Sequence, residues 1–368
     1  MNDPTTGAVL LVFAFALGGI VGSFLNACIY RMPRGISLNN PSRSFCPACK
    51  KQISWAENIP LLSWLFLRGR CSQCGAAIPA RYFLVEVLTA TLFVVCWNSF
   101  GWPLAVVYWL FVALLITATF IDFEHLIIPD EITLGGTALG LILSTIFPQM
   151  MGEYGHLRGL LFSFIGAVSG YLLLWAVVEL GKIAFGKKRH AFTQPEEFSV
   201  RMAENTNIVV IEGEETVWED IFSRPKDELL WECEEFEMAF ESGERRSGTG
   251  PLRMRYDRIF IGEEEILLPE IRQIEGRASA LTMPREAMGF GDVKFIAAIG
   301  AFLGWKAVLF TIFAAALIGM VVGALTFLIT RGKSGGRIPF GPYLALGALL
   351  WIFFGVAVLD WYIEITFG

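Results

Sequence analysis

The sequence predicts an all-α polytopic membrane protein of about eight transmembrane helices, with a small cytoplasmic zinc-binding loop domain and a β-rich cytoplasmic insert. Three observations predict it. Of 368 residues, 54% are hydrophobic and only 17% charged, with a mean hydropathy of +0.55, whereas a soluble domain carries about a quarter charged residues. Apolar runs near the ~20 residues that span a bilayer recur along the chain. Charge is also segregated: residues 187–283 hold 13 Lys+Arg and 22 Asp+Glu, a net of −9, and the remainder is slightly basic. This balance excludes a disordered chain, a secreted disulfide scaffold and a nucleic-acid binder, the last also disfavoured by a pI near 5.3.

Residues 1–30 form the first span. The apolar run from Ala8 to Tyr30 has no basic residue before it and meets Arg31 and Arg34 directly after, the reverse of a signal peptide's flanks. It therefore reads as an uncleaved helix whose C-terminus is cytoplasmic. Residues 31–81 follow as a loop domain with eight Lys or Arg against Glu57 alone, which marks the inner face. Residues 82–183 hold runs at about 82–99, 102–121, 132–148 and 157–183. Residues 184–288 are the acidic insert, in which alternating stretches such as Asn207–Glu212 and Leu230–Phe240 are broken by Gly and Pro and read as strands. Residues 289–368 supply three more runs, at about 292–304, 307–330 and 338–363. The first of these, at ~1.5 Å per residue, is about half a bilayer long. A short crossing helix is the preferred reading, because a returning loop would place Arg331, Lys333 and Arg337 outside.

Two constellations carry chemistry. Cys46-Pro-Ala-Cys49 and Cys71-Ser-Gln-Cys74 offer two thiolates from each of two tight turns, which suits a tetrahedral S4 cage for a structural zinc ion. Disulfides are disfavoured in a reducing compartment. Cys28, Cys96 and Cys233 have no partner pattern, and the first two read as small buried apolar residues. The second constellation is acidic. Asp122 ends the third span, and Asp292 closes Gly289-Phe290-Gly291-Asp292 at the start of the sixth. Counting crossings puts both carboxylates at the cytoplasmic face, where one is able to act as base on a water while the other, protonated, polarises a peptide carbonyl. Gly289 and Gly291 leave room for a substrate backbone, and Lys294 follows close behind. The residues alone leave a second account open, in which Asp122 and Asp292 are membrane-edge charges and Asp130 and Asp292 are helix caps; for Asp130 capping is preferred. His125 reads as a solvated loop residue.

Together these stretches resemble the type IV prepilin peptidases, membrane aspartyl enzymes of bacterial pilus and type II secretion systems. The resemblance is carried by Gly22-Ser23-Phe24-Leu25-Asn26, Tyr30-Arg31-x-Pro33, Cys46-Pro-x-Cys49 and Glu57-Asn58-Ile59-Pro60. It continues through Leu67-Arg68-Gly69-Arg70-Cys71-x-x-Cys74, Arg81-Tyr82-x-x-Val85-Glu86, Ile121-Asp122 with Ile128-Pro129-Asp130, and Met288-Gly289-Phe290-Gly291-Asp292-x-Lys294. It implies that Asp122 and Asp292 are the catalytic pair and that the Cys loop belongs to members that both cleave and methylate. Such enzymes cut a basic leader from type IV prepilin or pseudopilin precursors and methylate the new N-terminus with S-adenosylmethionine. On that footing Asn26, Arg31, Glu57, Gly69 and Arg70 are cofactor-site candidates. The resemblance implies a multi-pass protein of the bacterial inner membrane with its active site on the cytoplasmic side. The expected partners are the prepilin, membrane lipid and an unassigned partner of the insert, and no nucleic acid. The insert departs from the family pattern, which has only a brief connection there. A peptidase without methylation and a non-catalytic membrane scaffold are the competing readings.

Overall fold

A computed structural model describes residues 4–40, 44–54, 56–185, 187–202, 207–211, 213–222, 227–284, 289–330 and 339–367. It divides into two compact units, one of residues 1–175 and 288–368 and the other of residues 176–287.

The first unit is helical. Helices α1 (Pro4–Arg31), α2 (Leu62–Phe66), α3 (Arg81–Phe100), α4 (Leu104–His125), α5 (Asp130–Ile146) and α6 (His156–Phe185) precede the insert. Each long helix coincides with one of the apolar runs. Among the described residues five helices are long and apolar enough to cross a membrane, or six when a bent final helix counts as one span. At 17 residues, α5 falls just short of that test.

These helices approach closely because small residues stand where they cross, as expected where apolar solvent gives no drive for association and packing must. A Cβ at Gly22 of α1 would lie 2.8 Å from the Glu86 Cα of α3, and one at Gly140 of α5 would meet Ala301 and Phe302 at 2.8 and 2.9 Å. Where they cannot close on glycine they close on rings: Phe93 stacks on Trp109 at 4.9 Å, and the indole N–H of Trp109 donates to the Phe93 carbonyl at 2.8 Å.

The second unit is an antiparallel sheet. Its strands are β1 (Lys187–Arg201), β2 (Ile208–Ile211), β3 (Glu214–Val217), β4 (Leu229–Phe240), β5 (Arg245–Met254), β6 (Arg258–Ile261), β7 (Glu264–Leu267) and β8 (Ile271–Pro284), with a one-turn helix α7 (Trp218–Ile221) after β3. The order across the sheet is β3-β2-β1-β8-β4-β5-β6-β7. Alternation along β4 sends Leu229, Trp231, Cys233, Phe236 and Met238 to one face, where Phe198 stacks on Trp231 at 4.1 Å. Ion pairs such as Arg189–Glu232 and Arg245–Glu237 line exposed positions. The strands first entered and last left, β1 and β8, are antiparallel neighbours, with Lys187 opposite Pro284. Paired strands lie ~5 Å apart, so the two ends of the sheet domain sit side by side. A domain with adjacent ends can be placed inside another fold without prising it open.

After the insert come α8 (Phe290–Ile329) and α9 (Gly341–Phe367). The runs expected at 292–304 and 307–330 are one 40-residue helical element, broken at Gly304, where φ of 79° and ψ of 174° leave the helical region. A Cβ is disfavoured at that φ, which is why glycine stands at the break. The broken helix lies close to α6, since a Cβ on Gly166 would fall 2.2 Å from the Gly300 carbonyl oxygen.

Candidate functional site: an aspartate pair and a thiol-framed cavity

Asp122 occupies the last turn of α4, and Asp292 the first turn of α8. Both are buried, at 5% and 7% exposure, and they interact electrostatically with one another. Asp122 Oδ2 accepts the backbone N–H of Gly341, at the N-terminus of α9, at 2.9 Å. A helix N-terminus carries about half a positive charge, so α9 favours a carboxylate there. Gly341 is required by space: a Cβ would lie 2.7 Å from Asp122 Oδ2 and 3.0 Å from Ile128 Cδ1. Ile128 closes the other side, because a Cβ on Gly291 would stand 3.4 Å from the Ile128 Cβ. Three helices and one isoleucine thus converge on the two carboxylates. Asp292 Oδ1 is buried without a hydrogen-bond partner, and no cation among the described residues is paired with either aspartate.

The N-cap of α8 is Gly289, so Asp292 does not cap that helix; its side chain sits at the third helical position. Asp130 does not cap α5 either. Pro129 holds the cap position, and Asp130, in the first turn, accepts Lys294 Nζ at 2.6 Å. A carboxylate in a first turn still gains from the helix dipole, but here its partner is a side chain from α8 rather than a free N–H of its own helix. Lys294 therefore ties α5 to α8 beside the aspartates. Gly289 is exposed, and a Cβ there would be 3.6 Å from Asp292 Oδ2. His125 is the last residue of α4 rather than a loop residue, with Nε2 3.3 Å from Arg34 Nη1.

The thiols of Cys46, Cys49, Cys71 and Cys74 lie within 4.8 Å of one another. The two turns that carry them are built alike. Cys46 N–H donates to the Lys51 carbonyl and Lys50 N–H to the Cys46 carbonyl; Cys71 and Gly75 repeat both bonds with Ala76 and Cys71, all at 2.9 Å. Lys50 and Gly75, each just after the second cysteine of its pair, both adopt positive φ. The Sγ atoms of Cys46 and Cys74 are 3.9 Å apart, too far for a disulfide and close to the ~3.8 Å edge of a tetrahedron with Zn–S of about 2.3 Å. Backbone N–H groups of Cys49 and Ala48 point at the Cys46 sulfur, and its thiol falls to about 7. The donor set fits a structural zinc ion.

A cavity of about 440 Å³ opens between this loop, α1 and α3. Asn26, Arg31 and Glu57 line it, as do Tyr30, Trp64 and Glu86. Asn26 Nδ2 donates to the Tyr82 carbonyl at 2.9 Å, while its Oδ1 is buried and unpartnered. Arg31 donates to the Ser37 and Leu38 carbonyls and lies over the Phe45 ring. Glu57 accepts from the Ser72 and Ser54 hydroxyls, which hold its carboxyl below the usual range. Gly69 and Arg70 are outside the lining. Gly69 backs Trp64, where a Cβ would meet the indole at 2.9 Å, and the Arg70 side chain is exposed.

Gly341 and Trp64 belong to these sites though no sequence motif named them, and Ile128, Tyr82 and Glu86, which stand in the motifs of the resemblance, had been given no role. Gly341-Pro342 opening an apolar run was a readable helix start, but nothing local says that this start aims at Asp122.

The profile of the bacterial peptidase A24 N-terminal domain matches residues 16–100. That of the type IV leader peptidase family matches 109–187 and 274–324, so most of the sheet domain falls in the gap between its two segments. Among curated proteins, a prepilin leader peptidase/N-methyltransferase of Aeromonas salmonicida is 28% identical over 96% of this chain and 93% of its own length. Proteins of the same name from Dichelobacter nodosus and Myxococcus xanthus are 39% and 44% identical, over 49% and 45% of this chain and 69% and 47% of their own lengths. No solved structure matches. With Asp122 and Asp292 in the two matched segments and the cysteine loop in the N-terminal one, the chain belongs to the type IV leader peptidase family.

Proposed function

We propose that the protein is a bifunctional prepilin leader peptidase and N-methyltransferase of the bacterial inner membrane. It removes the basic leader of type IV prepilins or pseudopilins at the cytoplasmic face, then methylates the exposed N-terminus. The observation that carries the peptidase reading is the pair of buried carboxylates that α4 and α8 hold against the N-terminus of α9, with no cation among the described residues ion-paired to either. Burying one unpaired carboxylate is costly, and burying two is a strong mark of function. Two carboxylates that share a proton suit amide hydrolysis. The ionised one takes a proton from water as it attacks the scissile carbonyl, and the protonated one donates to the carbonyl oxygen. Asp122, which accepts the Gly341 N–H at the positive end of a helix, is suited to hold the negative charge first. Asp292, with Oδ1 unsatisfied, is suited to carry the proton.

The methyl-transfer reading rests on the cavity. Its volume is in the range of small-molecule sites, and its wall combines aromatic faces with Arg31, Glu57 and Asn26. That set fits S-adenosylmethionine, whose sulfonium supplies the methyl group. Zinc held by the four cysteines fixes the loop that forms one wall, and has a structural role. Crossing the membrane eight times requires α8 to span twice, with the break at Gly304 as its turning point.

The test is direct. Purified enzyme in nanodiscs is given a prepilin-like peptide with a basic leader and methyl-labelled S-adenosylmethionine. Release of the leader and label on the new N-terminus are expected, and both Asp122→Asn and Asp292→Asn should release no leader. Near-normal cleavage by either variant would overturn the aspartate pair. Cleavage without label in the intact enzyme would leave a peptidase only.

A further inference from the structure

The donor cavity has a second end that the methyl donor does not explain. There α1 presents Ser23 and Asn26 on one face, three residues apart, and α3 presents Tyr82 and Glu86 on one face, four apart. Asn26 and Glu86 are each more than nine-tenths buried. Because only the amide NH2 can donate to the Tyr82 carbonyl, Oδ1 is the other atom of the Asn26 amide, and it is buried without a hydrogen-bond partner. The Glu86 carboxylate accepts the Leu61 N–H at 2.7 Å and the Ser23 hydroxyl. This end is therefore rich in acceptors, bears one negative charge and has an unsatisfied oxygen. Of the cations that line the same cavity, Arg81 lies over the Tyr82 ring and is paired with Glu124, and Arg31 donates to backbone carbonyls.

We infer that Glu86 and the Asn26 Oδ1 form the receiving site for the new N-terminal amine, and that Glu86 is the base for its methylation. The inference deepens the methyl-transfer reading and rests on it. An N-terminal amine near neutral pH is largely an ammonium with three N–H donors and no lone pair to attack with. Asn26 Oδ1 and Glu86 accept two of those donors. Glu86 takes one proton; the freed lone pair forms the N–C bond while the C–S bond of the sulfonium breaks and leaves its electron pair on sulfur. The products are a secondary ammonium and a neutral thioether, and the proton on Glu86 passes to water.

The alternative is that Glu86 only clamps the turn at Leu61, whose φ of 65° needs holding. Glu86→Gln separates the two, since a glutamine carbonyl still accepts the Leu61 N–H but cannot take a proton. Three measurements are made on the full-length enzyme in nanodiscs: label transfer to a mature-pilin N-terminal peptide, binding of S-adenosylmethionine, and binding of that peptide against its N-acetylated form without donor. Loss of a general base should slow label transfer by about 100-fold or more. The intact enzyme should prefer the free amine by about tenfold or more, since a bond to a charged group is lost on acetylation. Glu86→Gln should abolish that preference while changing donor affinity less than about threefold. Label transfer within a few-fold of the intact enzyme would reduce Glu86 to a clamp and overturn the proposal. Lost donor affinity with the amine preference intact would overturn it too, giving this end of the cavity to the donor. If the intact enzyme cleaves yet transfers no label, the methyl-transfer reading fails, and the amine preference still decides whether the receiving site exists.

Discussion

Adding one methyl group at Gly341 should disable cleavage while sparing the rest of the molecule. The Cβ of Gly341→Ala would arrive 2.7 Å from Asp122 Oδ2 and 3.0 Å from Ile128 Cδ1, against the 3.5–4.0 Å at which heavy atoms rest. Either the carboxylate or the start of α9 must retreat by about 1 Å. The bond from the Gly341 N–H, 2.9 Å in the intact protein, is then stretched past useful length. Bonds to charged groups contribute about 1.5–3 kcal/mol, and a 1 Å misplacement of a catalytic group costs about 100-fold. The two effects are the same displacement counted twice, so the expected loss in cleavage rate is about 100-fold. The assay is leader release from a prepilin-like peptide by enzyme in nanodiscs. Methylation of an already mature peptide serves as the internal control, because α9 supplies none of the cavity's lining. Cleavage within about threefold of the intact enzyme would show that the α9 contact does not position Asp122.

Three further outcomes follow from the same geometry. Cys46→Ser should leave three thiols of the cage, lower zinc retention and cut methylation more than cleavage, checked by metal analysis alongside both activities; a fully loaded, fully methylating variant would refute the cage. Zinc affinity should fall as pH drops, because protons compete with the metal for the four sulfurs; chelator competition across pH 6–8 reads it, and a flat profile would count against thiolate ligation. Lys294→Met should remove the tie to Asp130. That pair is partly exposed and worth at most about 1 kcal/mol, so a small drop in thermal stability with retained cleavage is expected, whereas complete loss of cleavage would make Lys294 part of the chemistry.

What the sequence made legible was whatever is local. Apolar length locates each long helix, and the spacing of Cys46, Cys49, Cys71 and Cys74 announces four thiols that do come together. Alternation in Leu230–Phe240 reads correctly as a strand because one face of β4 is buried. Illegible was whatever depends on two distant segments meeting. Asp130 carries every local mark of a cap, yet its partner is Lys294, 164 residues away. Gly341 reads as helix punctuation until α9 is set against α4. The break at Gly304 is another case: a lone glycine in an apolar run gives no sign of whether the chain bends there or continues.

The last turn of α4 links the two sites. Asp122 belongs to the aspartate pair, and only two residues later Glu124 is ion-paired with Arg81, while His125 meets Arg34. Glu124, Arg81 and Arg34 all line the thiol-framed cavity. A helix turn is rigid over so short a span, so the Asp122 carboxylate and the wall that faces the cavity move as one piece. On the proposed reading the amine exposed by cleavage passes from the aspartates to a cavity that the same turn borders. Such an arrangement accounts for two reactions on one chain end without a second binding event, and it places the burden of order on chemistry: methylation waits for an amine that only cleavage creates.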